Sequence, residues 1–391
     1  MKTTSALVAH GGGPTPVLNS TLLGVIREAR AADFRHLWAP IGGLGGILRG
    51  DLIDLLAIPR SKLQKLSGQS GSAVGSFRGK ISDSDLDEII HSFRTREIHS
   101  FFYTGGNGSM GTLQRIAAAA RASNYELTAV GVPKTIDNDI CETDHCPGFG
   151  SAARFAAIAV REIGLDQRAL PTPVSIGEVM GRNTGWLAAA TLLARQRQAD
   201  PPHFIYVPEV PFNLDEFLGR VDRLLQKQGW VVGVVAEGLR DHAGRIIAGA
   251  RGSSRDAKGR PLAGDVAAHL ARLVSQRLRV RARSEKPGLL CRAFAPCQSL
   301  VDAAEAYSLG RFAVRSALKG HSEMMVGLRR AFSKRYSCRL TLVRLDKVAD
   351  QERFLPGKYL RKPGDIPESY RAYVAPLIGP ALEMPVYFDS D

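Results

Sequence analysis

Short apolar runs alternate with longer amphipathic runs along most of this chain, and the apolar runs tend to end in glycine-rich or polar clusters. Ser5 to Ala9, His36 to Pro40, Ile98 to Tyr103, Leu127 to Val132, Val174 to Val179, Phe204 to Val207 and Val231 to Ala236 read as strands. Helical spacing falls between them, at Val17 to Ala32, from Ser109 to about Arg121, Ser151 to Ile163, Thr184 to Arg195 and Leu214 to Gln226. Such alternation specifies an α/β protein with mainly parallel sheets. Parallel sheets carry their working loops at the carboxyl ends of strands, which is where the unusual clusters lie. The 391 residues suffice for one large or two medium domains. The best candidate for a flexible loop is Gly252 to Gly264.

Composition removes several function classes. Hydrophobic content of 44% and charged content of 23% are ordinary for a soluble globular protein. The apolar stretch Ala6 to Ala9 is too short for a secretory signal, and no apolar run reaches membrane-spanning length. Five cysteines are an odd number, so a reducing cytoplasm is expected rather than a disulfide framework. Cys141, His145 and Cys146 lie close together, but not at zinc-site spacing, and no second ligand pair follows. The net charge of +14 suits polyanionic substrates. Much of the excess lies between Arg251 and Arg292, without interleaved aromatics or a nucleic-acid motif, so no nucleic-acid or membrane partner is expected.

Four clusters carry chemistry. Gly11-Gly12-Gly13-Pro14-Thr15 links a strand to a helix, as does Gly105-Gly106-Asn107-Gly108-Ser109. Glycines there let the backbone approach a ligand, and amides at a helix start can hold phosphate. Pro133 to Asp139 places Lys134, Asp137 and Asp139 in one loop. Phosphoryl transfer needs those types: a carboxylate to take the proton of the attacking hydroxyl, another to help hold magnesium, and a cation to neutralise phosphate. The bland alternative is a polar loop capping the next helix. Glu178 to Gly185 sets Arg182 beside Gly181, where an arginine can reach a phosphate or sugar oxygen or can be a plain surface turn.

Taken together, these segments resemble the phosphofructokinases, and among them the diphosphate-using group. Thr135 to Asp139 matches the family's Thr-Ile-Asp-Asn-Asp, and Met180 to Arg182 its Met-Gly-Arg. Phe149 to Ala152, Gly12 to Thr15 with Asn19, and Ala236-Glu237-Gly238 also look like family segments, with a thinner likeness after Gly252. The resemblance implies two Rossmann-like α/β/α domains with the active site in the cleft between them. It implies a phosphoryl-donor domain over 1–149 joined by about 293–345, and a sugar-phosphate domain over 150–292 joined by 346–391. It further implies Mg2+, fructose 6-phosphate, diphosphate or ATP, and a homodimer or homotetramer. Asp137 would be the base, with Lys134, Asp139 and Thr135 beside it. Met180, Gly181, Arg182, Glu237, Arg283 and Arg292 would hold the sugar phosphate. Gly12, Gly13, Arg78, Gly106, Asn107, Gly108 and Ser109 would meet the phosphoryl donor, and Asn107, Asp137 and Asp139 the metal.

Lys134 stands where diphosphate-using members have lysine and ATP-using members glycine. Gly108 stands where ATP-using members have glycine and diphosphate-using members usually aspartate. The balance of the surrounding sequence favours diphosphate. Asn107 and Gly108 leave that loop without its usual carboxylates, and Leu289 replaces a polar sugar contact. These departures keep a second ketose phosphate, such as sedoheptulose 7-phosphate, and a non-catalytic binding subunit open as alternatives.

Overall fold

The strand β1 (Ser5–His10) is buried along its whole length because it lies inside a seven-stranded sheet. Its side chains alternate between two cores: Leu7 and Ala9 face one, Ala6 and Val8 the other. A strand covered on both faces reads as an unbroken apolar run, which is why Ser5 to Ala9 was legible. A computed structural model describes residues 4–66, 68–170, 172–248, 265–331, 333, 335–360, 362–383 and 385–386. The loop expected over Gly252 to Gly264 lies outside them, as does the start of the basic stretch from Arg251.

In chain order the remaining elements begin with α1 (Leu18–Ala31), β2 (Leu37–Pro40), α2 (Leu44–Leu48), β3 (Leu52–Asp54), α3 (Arg60–Gln64), α4 (Asp83–Thr95), β4 (Ile98–Gly105), α5 (Asn107–Ala122) and β5 (Thr128–Pro133). Then follow α6 (Phe149–Ala169), β6 (Val174–Val179), α7 (Trp186–Ala190), β7 (Phe204–Tyr206), α8 (Leu214–Gln228), β8 (Val231–Ala236), α9 (Val266–Leu278) and β9 (Ala282–Glu285). The last are α10 (Leu300–Leu318), β10 (Met324–Arg330), β11 (Cys338–Arg344) and α11 (Glu368–Val374). The described chain forms two units. One comprises 4–152 and 292–353, the other 153–248, 265–291 and 354–386.

In the first unit the strand order is β11-β10-β5-β4-β1-β2-β3. The five inner strands are parallel, and β3 and β11 are antiparallel edges. Helices α4 and α5 cover one face, α1 and α10 the other. The strand order reverses beside β1, so the carboxyl ends of β1 and β4 open a crevice of the kind where α/β sheets bind ligands. Helices α1 and α10 meet backbone to backbone. A Cβ on Gly310 would lie 2.2 Å from the Thr21 carbonyl oxygen, and one on Gly24 would lie 2.1 Å from that of Tyr307. Overpacking a tight site costs about 1–3 kcal/mol, and here two helix backbones must part. Gly310→Val is therefore expected to lower Tm in a thermal melt, whereas Gly357→Ala, with nothing within 4 Å of its Cβ, leaves it unchanged.

The second unit holds a four-stranded parallel sheet of order β7-β8-β6-β9. Its core includes Phe204, Phe217, Val221, Leu270 and Val274, which come from β7, α8 and α9. Asn213 caps α8 by accepting from the amides of Asp215 and Glu216, and Gly229 ends it in the left-handed region. The fold class is thus α/β with mainly parallel sheets, as expected. The helix expected over Thr184 to Arg195 is shorter. It runs as α7 and then tightens into a 3-10 turn, Thr191–Ala194, where the Thr191 hydroxyl donates back to the Ala188 carbonyl (2.6 Å). Among the described residues no helix is long and apolar enough to cross a membrane.

Candidate active site

Three loops leave the carboxyl ends of β1, β4 and β5. After β1, the amide of Gly11 donates to the Thr104 carbonyl (2.8 Å) and that of Gly12 to the Phe77 carbonyl (2.9 Å). Ser76 Oγ donates to the Gly12 carbonyl (2.7 Å), so the segment 76–78 is held against this loop and brings the exposed Arg78 with it. Gly12 has φ +79°, a conformation that L side chains rarely adopt. A Cβ on Gly11 would lie 2.5 Å from Ser109 Oγ and from the Tyr103 hydroxyl, so only glycine admits the start of α5 at this distance. Asn107, Gly108 and Ser109 form the first turn of α5; the Ser109 amide donates to the Gly106 carbonyl (2.9 Å), and the amides at the very start of a helix suit an anion.

After β5, Lys134 is buried and its amide donates to the Gly105 carbonyl (3.0 Å). Its Nζ donates to the carbonyls of Gly11 (2.7 Å) and Gly13 (2.5 Å), which ties the β5 loop to the β1 loop. Burial first, then the charge of Arg292, pulls the Lys134 pKa down to about 7, against the opposing pull of Asp137 and Asp139. Arg292 packs on the same loop: a Cβ on Gly13 would lie 3.3 Å from its Nε.

Thr135 pairs with Gly148 in a parallel bridge, and its Oγ1 accepts from the Asp137 amide (3.0 Å). Asn138 is buried with φ +57°, and its Oδ1 accepts from the Cys146 amide (3.0 Å). This turn presents Asp137 and Asp139 as partly accessible side chains. Burial raises the pKa of Asp137, opposed by Arg292, Lys134 and Arg78 and helped by Glu352. Burial and then the charge of Asp137 raise that of Asp139, with Glu352 adding to the effect. Asn107 Nδ2 donates to Asp139 Oδ2 (3.0 Å) and to its carbonyl (3.1 Å). Asn107 Oδ1 and Asp139 Oδ1 are left buried without a hydrogen-bond partner. These two hard oxygens, with the Asp137 carboxylate in the same turn, fit a small divalent cation.

In the second unit, the loop after β6 carries Met180, Gly181 and Arg182, and the loop after β8 carries Glu237. Gly181 has φ +146° and its amide donates to Glu237 Oε1 (3.4 Å). A Cβ on Gly238 would lie 1.8 Å from the Arg182 carbonyl oxygen, so the two loops touch through backbone. Glu178, buried on β6, accepts from the Ala267 amide (3.1 Å) and pairs with Lys286 (2.9 Å). Arg283 is not brought to this loop within its own sheet. It lies opposite Ser175 on the edge strand β9, roughly 16 Å along the strand from Met180 at 3.2–3.4 Å per residue. Leu289 is 70% exposed.

Within the cysteine–histidine grouping His145 is paired with two carboxylates. Cys146 is fully buried, and all five cysteines are free thiols. His145 Nδ1 meets Asp144 Oδ1 (2.9 Å), and its Nε2 meets Glu305 Oε2 (2.7 Å). Among the described residues it is Asp144, His145 and Cys338 whose ligand atoms come within 4.8 Å of one another. Burial alone would lower the His145 pKa; hydrogen bonds and charge from Asp144 and Glu305 outweigh it and hold the pKa at about 9. A folded pKa raised above the ordinary value of 6.5 stabilises the fold fully below that pH and is lost as pH rises to about 9. The unfolding free energy is therefore expected to fall by roughly 3 kcal/mol across that interval, and His145→Gln is expected to flatten the curve in denaturant titrations.

Two residues of the first unit carried no signal in the sequence. Glu352 bears on both carboxylates of the β5 loop, and Arg353 Nη2 donates to the Asn138 carbonyl (2.8 Å), although the two lie 215 positions apart. Contacts at that separation have no periodic or motif signature.

The family model for Phosphofructokinase matches residues 5–317. The chain is 39% identical over 394 residues to the pyrophosphate--fructose 6-phosphate 1-phosphotransferase of Xanthomonas campestris pv. campestris (strain B100), covering 98% of this chain and 93% of that protein. It is 32% identical over 358 residues to the sulfofructose kinase of Alkalicoccus urumqiensis, covering 91% of each. The crystal structure of the pyrophosphate-dependent phosphofructokinase from Marinobacter aquaeolei superposes with a TM-score of 0.87 at 34% identity, covering 98% of this chain and 94% of that one. The loops described above thus sit in a fold and a sequence shared over nearly the whole chain, which belongs to the phosphofructokinase family.

Proposed function

We propose that the protein transfers a phosphoryl group from diphosphate to the 1-hydroxyl of fructose 6-phosphate, giving fructose 1,6-bisphosphate and phosphate, a step of glycolysis. The observation that carries the reading is Lys134. Its Nζ is bound to the carbonyls of two glycines of the β1 loop, in the same loop as Asp137. Asp137 is the base: its carboxylate accepts the proton of the sugar hydroxyl as that oxygen bonds to phosphorus and the bond to the leaving phosphate breaks. Lys134 neutralises charge on the donor, with Arg78 at the edge of the loop; Arg292, which the resemblance gave to the sugar phosphate, packs on the β1 loop at Gly13 and is here assigned to the donor. Gly12, Gly13, Gly106, Gly108 and Ser109 offer backbone and hydroxyl contacts to it.

Asn107, Asp137 and Asp139 would hold a divalent cation, which we assign as Mg2+; when bound, it offsets diphosphate charge. Met180, Gly181, Arg182 and Glu237 hold the sugar phosphate, and Thr135 orients Asp137 through its amide. Arg283, far from Met180 along its sheet, would reach a sugar phosphate only from elsewhere in an assembly, in keeping with a homodimer or homotetramer. Five free thiols support a cytoplasmic location.

Leu289, with its exposed side chain, and the relative named sulfofructose kinase favour testing other acceptors. Purified protein with Mg2+ would be offered diphosphate or ATP, each with fructose 6-phosphate, sedoheptulose 7-phosphate or sulfofructose. Turnover of fructose 6-phosphate with diphosphate alone is expected. Turnover only with ATP would reverse the donor, and turnover only of another acceptor would reverse the sugar.

A further inference from the structure

We propose that Asp144, His145 and Cys338 form a zinc site that ties the segment following the β5 loop to the β10–β11 hairpin, independently of the phosphoryl-transfer reading above. The fold brings the three ligands together from two distant stretches of chain. The segment 143–145 is fixed to β10: the Asp144 amide donates to the Leu328 carbonyl (2.8 Å), and the Leu328 amide donates to Thr143 Oγ1 (2.9 Å). Cys338 opens β11, in register with Arg330 of β10. A carboxylate oxygen, an imidazole nitrogen and a sulfur thus lie within 4.8 Å of one another. Zinc takes these ligand types, usually four in all, and water can complete a set of three. Local spacing around His145 could not reveal the group, because its cysteine comes from the far end of the chain.

The surroundings suit a ligating histidine, which normally gives its second ring nitrogen to a carboxylate that fixes the ring. His145 is 1% exposed; its Nδ1 faces Asp144 Oδ1 (2.9 Å), and its Nε2 donates to Glu305 Oε2 (2.7 Å). Glu305 is itself held by the Tyr336 hydroxyl (2.6 Å), and Arg330 Nη2 donates to Asp144 Oδ1 (3.1 Å). Asp144 and Cys338 are half-buried, so solvent can deliver the ion. Charge balances as well. Against the effect of burial, Asp144 and Glu305 hold the His145 pKa at about 9, and burial pushes the Cys338 thiol up to about 11. At neutral pH the metal-free site therefore holds a proton on Nδ1 and another on Sγ. Zinc displaces both to solvent, and bonds from nitrogen and sulfur to the metal replace the N–H and S–H bonds. Two positive charges leave and two arrive, so the net charge of the site is unchanged.

Co2+ would serve as the probe, because it occupies zinc sites and shows a thiolate-to-metal charge-transfer band in the near ultraviolet. Full-length protein stripped with a chelator would be titrated with Co2+ and then with Zn2+. Co2+ is expected to produce the band and Zn2+ to bleach it, with about two protons released per zinc bound at neutral pH. Cys338→Ser is expected to abolish the band, whereas Cys141→Ser keeps it. Glu305→Gln, which leaves the three ligands in place, is expected to keep the band and to weaken Zn2+ binding by about 10–100-fold. The oxygen ligands assigned to Mg2+ give no thiolate band, so the two sites are told apart without turnover. Thermal melts of each metal-free variant report that the fold is intact. Absence of the band in the parent protein would overturn the proposal. So would a band that survives Cys338→Ser, or a Zn2+ Kd unmoved in Glu305→Gln.

Discussion

Asp137→Asn is expected to lower kcat by about 10²–10⁴-fold, the usual contribution of a general base. The substitution keeps the shape and removes the proton acceptor, so the KM for fructose 6-phosphate should change little. Stability should move the other way. Burial raises the Asp137 pKa, so the ionised group is held at a cost in the ligand-free fold, and Asn removes that cost. A variant with little turnover and an equal or higher Tm is the expected pair of results, from a coupled assay and a melt. Full turnover would remove Asp137 from the chemistry. The pH profile follows from the same shift. The base works only when ionised, and its pKa is raised. Activity on the kcat/KM axis should therefore fall, on the acid side, at a pH above the ordinary carboxylate range near 4. Asp137 and Asp139 interact, so the limb belongs to the pair.

Lys134→Met should lower diphosphate turnover by about 10²–10³-fold, the scale for losing one fixed electrostatic partner of a transition state. The side chain keeps its length but loses its charge and both hydrogen bonds to the β1 loop. The parent has a second limb in kcat/KM. The Lys134 pKa is lowered to about 7, so the free enzyme loses this cation as pH rises through that value. Activity should decline on the alkaline side near there, and the decline should be absent from Lys134→Met. An unchanged alkaline limb in the variant would assign it to another group. In kcat the limb should shift to higher pH, because bound diphosphate favours the protonated amine.

Much of this site is written locally. Lys134, Asp137 and Asp139 are neighbours in the chain, and one short turn after a strand is enough to present all three. Close approach requires Gly11 and Gly105, and a positive φ favours glycine at Gly12, so residue type alone announces those positions. Continuous apolar runs marked most strands because those strands are covered on two faces. The inner strand β10 was not announced although its middle is buried, because it ends in two arginines. The edge strands β3, β9 and β11 are half-exposed or brief, and their mixed patterns resemble loops.

The sequence by itself therefore determined the fold class, the order of the glycine-rich loops and the grouping of Lys134 with two carboxylates, since each depends on residues within a few positions of one another. Tertiary structure alone decided the rest. It joined the β1 loop to Lys134, set Arg292 against Gly13, enclosed His145 between two carboxylates and paired the backbone of Glu352 with that of Ile140. Charges and hydrogen bonds act through space over a few ångströms, and partners hundreds of positions apart become neighbours only once the sheet has ordered the strands that carry them.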